Sequence, residues 1–177
     1  VRAVFDRTMV PERRMVLFLI IGTIPAGVAG VLLEDFFERT FGSPVQTSFM
    51  LLVTGLILLA TRFFLRGGKP ITATNSLVMG IGQAVAILPG ISRSGSTIAA
   101  GIYWGVSPAV AAEFSFLLSV PVIIGAIVFK IDDLAGLNRA LAGQYAVATV
   151  FSFAFGLAAV SGLMAVVRRG KLEYFAY

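Results

Sequence analysis

Four apolar runs, at 15–33, 47–65, 109–129 and 144–167, are separated by polar and charged segments. A helix over the first run, at 1.5 Å per residue, reaches about 28 Å, the thickness of a hydrocarbon core. That run contains Gly22, Pro25, Gly27 and Gly30. Such residues weaken a helix in water, but a bilayer tolerates them because neighbouring helices supply the packing and small residues permit close approach. The third run carries one carboxylate, Glu113, and one proline, Pro121. The fourth is rich in Ala, Gly, Ser and Phe. All four predict spanning helices.

Between the second and third runs the pattern changes. Residues 75–88 are apolar but short, 89–96 are polar, and 97–104 are apolar and shorter still. One continuous helix would put Pro89, two glycines, three serines and Arg93 near mid-membrane. Non-helical backbone persists at that depth only where protein buries it or a watery cavity wets it. The pattern therefore predicts two half-helices meeting at a polar loop, the second starting at about Thr97. They form a re-entrant hairpin at about 75–105 that enters and leaves on the same side. The predicted fold is all-α: one polytopic membrane domain over 1–177, with four spanning helices and one re-entrant helical hairpin.

Charge placement sharpens this topology. With the N-terminus in the cytoplasm, the cytoplasmic flanks hold Arg2, Arg7, Arg13, Arg14, Arg62, Arg66, Lys69, Arg168, Arg169 and Lys171, ten of the 14 Lys and Arg. The opposite side holds Arg39, Lys130 and Arg139 with the acidic Glu34, Asp35, Glu38, Asp132 and Asp133. This satisfies the positive-inside rule only if the middle segment is re-entrant, because a single crossing would put the basic C-terminal flank outside. Both chain ends are thus expected in the cytoplasm. The aromatic tail at 172–177 reads as an interfacial anchor.

Composition agrees with a lipid solvent. The chain is 58% hydrophobic and 13% charged, against about 45–50% and 25% in soluble domains, and its mean hydropathy is +0.93. There is no cysteine, which excludes disulfides and thiol chemistry, and no histidine, the commonest neutral-pH acid–base group and metal ligand. The net charge of +5 flanks apolar segments, so no nucleic-acid partner is expected. The first residues contain no signal-peptide pattern. The chain begins with Val rather than Met and is expected to be an N-terminally truncated piece.

The chemistry concentrates in the polar loop. Arg93 is the one cation predicted inside the membrane, where it costs about 2.5–3.5 kcal/mol on insertion scales and so needs a partner or a wet cavity. Its planar fork suits bidentate contact with phosphate oxygens. Ser92, Ser94, Ser96 and Thr97 offer hydroxyls, Gly90 and Gly95 permit close approach of backbone amides, and the following helix points its positive end into the loop. Together these select an anion. The alternative is that the small residues pack helices and Arg93 pairs with a carboxylate. Glu113 either orients Arg93 and lines the cavity or sits wet near the cytoplasmic end of its helix. Gln83 either hydrogen-bonds across the hairpin or packs. Asp132 and Asp133 are assigned no chemistry, and no Walker-type loop, paired histidines or Ser/His/Asp set can be assembled.

The segment Gly-Ile-Gly-Gln-Ala-Val-Ala-Ile-Leu-Pro-Gly-Ile-Ser-Arg-Ser-Gly-Ser-Thr at 80–97 resembles the second signature of the bacterial undecaprenyl-diphosphatases, also called bacitracin-resistance proteins. The resemblance continues through Ala-Ala-Glu-Phe-Ser-Phe-Leu-Leu-Ser-Val-Pro-Val-Ile-Ile-Gly at 111–125. It implies a multi-pass enzyme of the bacterial plasma membrane that removes the terminal phosphate of undecaprenyl pyrophosphate and so recycles the lipid carrier of peptidoglycan synthesis. It also implies inverted repeats, each with a re-entrant hairpin meeting at a cavity open to the outer face. By carry-over, Arg93, Ser92 and Thr97 are the catalytic candidates. Gly90, Ser94, Gly95, Ser96, Gln83 and Glu113 are candidates for binding substrate. The family's first signature, a glutamate-rich helix leading into Pro-Ile-Ser-Ser-Ser-x-His, is absent from this chain. So are the ligands of the divalent metal (Mg or Ca) that the family implies. The chain is therefore expected to be the arginine half of a two-part site, with little or no phosphatase activity alone. The rival readings are a polyprenyl-phosphate or other anionic-lipid transporter, since broken half-helices also form transporter sites, and an inactive fragment. The partners implied are the lipid pyrophosphate and the membrane, with room for a homodimer.

Overall fold

Because lipid offers no hydrogen-bond partners, a spanning chain has to satisfy its backbone within each helix. The computed structural model describes residues 12–33, 36, 43–64, 67–129, 139–169 and 172–176, and among these every regular element is helical. The order is α1 (Glu12–Leu32), α2 (Pro44–Ala60) extended by a 3-10 turn (Thr61–Phe63), α3 (Ala73–Val85), α4 (Arg93–Tyr103), α5 (Pro108–Phe129), α6 (Arg139–Arg168) and a closing 3-10 turn (Leu172–Ala176). Four of these helices are long and apolar enough to cross a membrane, within 13–32, 44–63, 108–128 and 143–168. The chain is an all-helical, multi-pass membrane protein. Large apolar side chains are exposed along all four helices, for example Leu32, Leu52, Ile124 and Phe155, where lipid is the solvent.

The helix starts are encoded locally. Ser43 caps α2, its Oγ accepting the Gln46 N–H at 3.3 Å, with Pro44 in the first turn. Thr72 caps α3, accepting from Asn75 N–H at 3.2 Å. Ser92 caps α4, accepting from Gly95 N–H at 3.2 Å. The second half-helix accordingly begins at Arg93, not at Thr97 as the polarity pattern predicts. A serine that caps extends the helix into the polar segment, because its oxygen replaces a missing carbonyl partner. Likewise α3 covers 73–85 rather than 75–88.

With 13 and 11 residues, α3 and α4 are about 20 and 17 Å long and too short to cross. They form a hairpin closed at its base: Lys69 N–H donates to Gly105 O at 2.9 Å, and Lys69 pairs with Val106 in a single bridge. Gly105 stands at φ +88°, a conformation costly for any side-chain-bearing residue. The chain thus enters and leaves the hairpin at one point.

α1 runs parallel to α3 in close contact. The Ser76 hydroxyl donates to Phe18 O, and a Cβ on Gly80 would overlap the Gly22 carbonyl. Met79, Ile98, Ile102, Ala111, Phe114 and Leu118 form a buried core between α3, α4 and α5. α6 contributes chiefly its last turn, where Val167 is buried, while Phe151 and Phe155 stack on its exposed face. The C-terminal turn is more than an anchor, since Leu172 is buried and the Ala176 carbonyl abuts Gly55 of α2. Arg2, Arg7, Glu34, Asp35, Glu38, Arg39, Arg66, Lys130, Asp132, Asp133 and Lys171 lie outside the described residues.

Candidate functional site at the hairpin tip

The tip connects α3 to α4 through successive tight turns, closed by Ile87 N–H to Ala84 O (3.2 Å), Leu88 N–H to Val85 O (3.2 Å) and Ile91 N–H to Leu88 O (3.1 Å). Gly90 takes φ +93° and lies against the Thr47 carbonyl of α2, leaving no space for a Cβ. Thr54 of α2 pins the other side. Its hydroxyl accepts the Ser92 N–H at 3.1 Å and faces the carbonyls of Gly90 (3.0 Å) and Met50 (3.1 Å), one of which takes its proton. The tip therefore stands opposite residues 47–54 of α2, well away from the Lys69–Gly105 base.

Arg93 opens α4 and extends back across the hairpin, its Nη1 donating to Gln83 Oε1 of α3 at 3.1 Å. Both residues line a cavity of about 530 Å³, within the range of small-molecule sites. The rest of the lining comes from Ala86 and Ile87 of the tip and from the later halves of α1 and α5, including Gly27, Gly30, Pro121 and Gly125. A Cβ on any of these three glycines would meet nothing within 4 Å. Thr23 also lines the cavity, but its hydroxyl donates to Leu19 O at 2.7 Å. No carboxylate is among the described lining residues. The site is thus an apolar chamber with one guanidinium and one amide at the hairpin end. The first-turn amides of α4, at Arg93 and Ser94, have no carbonyl within their helix to bond, and its dipole adds positive potential there.

The other sequence candidates are placed variously. Ser92 and Thr97 face the backbone: Ser92 caps α4, and the Thr97 hydroxyl donates to Arg93 O at 2.7 Å. Both fix the turn that carries Arg93, because short hydroxyl side chains bond nearby backbone readily. Ser96 and Thr97 are buried, and the Ser96 hydroxyl has no partner among the described residues. Ser94 is half-buried in the same turn and does not line the cavity. Gly90 and Gly95 are both closely packed. Gly95 lies beside Ser92 and Leu58, and its amide is already bonded. Glu113 does not line the cavity. It pairs with Arg168 at 3.4 Å at the base side, both side chains partly exposed. Gln83 hydrogen-bonds across the hairpin. Thr54 was not legible as a site residue, because its partners lie 36 and 38 residues away.

A divalent metal does not fit this cradle. Among the described residues no three His, Cys, Asp or Glu come together, and a guanidinium beside a neutral amide attracts anions rather than hard cations.

A family model described as bacitracin resistance protein BacA matches residues 2–177. The chain is 43% identical to an undecaprenyl-diphosphatase of Desulfatibacillum aliphaticivorans over 168 residues, 93% of this chain and 61% of that protein. It is 41% identical to one of Salinibacter ruber over 165 residues, 93% of this chain and 61% of that protein. A third, from Methanothermobacter thermautotrophicus, is 44% identical over 172 residues, 90% of this chain and 91% of that protein. The chain thus spans about three fifths of the length of the first two relatives. Since the match takes in the hairpin, the cavity walls and all four long helices, the chain belongs to the bacitracin resistance protein BacA family.

Proposed function

We propose that this chain is the arginine-bearing part of a membrane phosphatase that hydrolyses undecaprenyl pyrophosphate to undecaprenyl phosphate and inorganic phosphate. Hydrolysis adds one water across the terminal phosphoanhydride bond, returning the lipid carrier for peptidoglycan synthesis. The observation that carries this reading is the position of Arg93 at the polar end of an apolar 530 Å³ cavity between membrane helices. A lipid pyrophosphate has the matching two-part form, an anionic head on an apolar chain. The relatives' name, undecaprenyl-diphosphatase, supplies the substrate.

Phosphoryl transfer depends mainly on positioning and on stabilising charge over the transferring oxygens. Arg93 is suited to both: its remaining N–H groups bind phosphate oxygens in a low-dielectric site, where preorganised donors act strongly. Ser92 and Thr97 hold the backbone of its turn. The described residues offer no general base at the cavity, so the attacking water or nucleophile is activated by groups outside them. The divalent metal implied by the family is held outside this cradle too. The reading includes a plasma-membrane location with the hairpin base and both chain ends at the cytoplasmic face; Arg13, Arg14, Arg62, Arg168 and Arg169 at the base side support that orientation.

The test is phosphate release from C55 pyrophosphate by the full-length protein that contains this chain, with Arg93→Ala beside wild type. Arg93→Ala is expected to lower turnover at least about 100-fold with an unchanged melting temperature. Normal turnover by that variant defeats the proposal, and lipid counterflow without phosphate release in proteoliposomes supports the transport reading instead.

A further inference from the structure

Gln83 is 2% exposed, which is costly for a side chain with one acceptor oxygen and two amide donors. Its Oε1 accepts from Arg93, but its Nε2 has no acceptor among the described residues. An unsatisfied buried donor costs about 1–3 kcal/mol. A packing role alone does not account for it, because an apolar side chain of similar volume would fill the space without that cost. At the same cavity end, Arg93 retains N–H groups beyond the one given to Gln83, whereas the Thr23 hydroxyl is engaged by Leu19 O. The hydrogen-bonding capacity that Gln83 and Arg93 have left over is therefore of donors only, with one net positive charge and no carboxylate in the described lining. A group that satisfies a guanidinium and an orphan amide together must be rich in acceptors and negatively charged.

We propose that Gln83 is a substrate-binding and specificity-determining residue for the pyrophosphate head. Its Oε1 sets the plane of the Arg93 guanidinium, and its Nε2 donates to an oxygen of the same anion. Its neutrality is as important as its hydrogen bonds. A glutamate of the same shape would keep the contact to Arg93 but turn it into an internal ion pair, cancelling the charge that draws the anion and placing lone pairs where the ligand needs a donor. The inference rests on the reading of the tip as a pyrophosphate cradle.

The test titrates inorganic pyrophosphate and farnesyl pyrophosphate into the purified full chain in detergent, followed by calorimetry, for wild type, Gln83→Glu, Gln83→Met and Arg93→Ala. Gln83→Glu is expected to bind farnesyl pyrophosphate at least tenfold more weakly while its ligand-free melting temperature is maintained or raised. Lowering the pH to protonate the new carboxyl should restore part of that affinity relative to wild type, a response that lost packing does not produce. Gln83→Met, which keeps volume without donor or charge, should lose about threefold to tenfold. Equal affinity for Gln83→Glu and wild type, with binding lost in Arg93→Ala, overturns the role of Gln83 and leaves the cradle standing. Binding unaffected by Arg93→Ala, or absent from wild type, overturns the cradle and this inference with it.

Discussion

On the base side of Pro25 and Pro121 the helices touch; beyond them α1 and α5 line a chamber. Gly22 lies against Ser76, Leu118 and Gly80 with no room for a methyl group, whereas Gly27, Gly30 and Gly125 face open space. The same residue type thus does opposite work a turn or two apart. Each proline lacks the N–H that would bond the carbonyl four residues earlier, at Ile21 and Leu117, loosening the helix where close packing gives way to cavity. One half of the bundle is built for rigidity, and it holds the hairpin whose tip projects into the other half.

Substitutions that exchange the properties of the two halves test this contrast. The largest effect is expected from Gly80→Ala, whose methyl overlaps the Gly22 backbone. It should cost about 3 kcal/mol, read as a large fall in melting temperature in detergent; a stable variant would mean that α1 and α3 are not in contact. Next is Thr54→Val, similar in shape but without the hydroxyl that takes the Ser92 amide. Leaving that amide unpaired should cost about 1–3 kcal/mol and raise hydrogen exchange at the tip ahead of the base. Uniform exchange at tip and base would break the contrast. Gly27→Leu should leave the melting temperature nearly unchanged but fill cavity volume, weakening farnesyl pyrophosphate binding about tenfold, or 1.4 kcal/mol. Retained affinity would show that ligand does not use the chamber. The smallest effect belongs to Glu113→Gln. It removes a pair 53% and 32% exposed at its two side chains, worth less than about 1 kcal/mol, and phosphate release from the full-length protein should be unaltered.

Much of this arrangement was legible in the sequence because the bilayer imposes strong constraints on it. Four runs of membrane length and one polar interruption flanked by short apolar pieces fix the element order without reference to contacts. Arg93 was legible for the same reason, since a cation at that depth requires an explanation. The roles of the surrounding hydroxyls were not. Ser92 and Thr97 have the same composition whether they face a ligand or their own backbone, and only the helix start at Arg93 decides between them. The Ser92–Gly95 spacing was the available signal, a cap three residues ahead of the amide it bonds. Glu113 was ambiguous because its partner Arg168 is 55 residues away. The chamber depends on where α1 and α5 stop touching, which their prolines mark but do not locate.

The hydrogen bond from Lys69 to Gly105 also bears on how the protein is made. A segment whose two ends share one side cannot be threaded through the insertion machinery as a stop-transfer helix, and neither α3 nor α4 is long enough to be retained by lipid alone. Its polar tip, with a guanidinium, becomes tolerable at depth only when α1, α2 and α5 already surround it. The hairpin therefore enters as a closed unit into a ring of helices inserted before it. Docking of the hairpin therefore waits for α5, the last of these three helices in the chain.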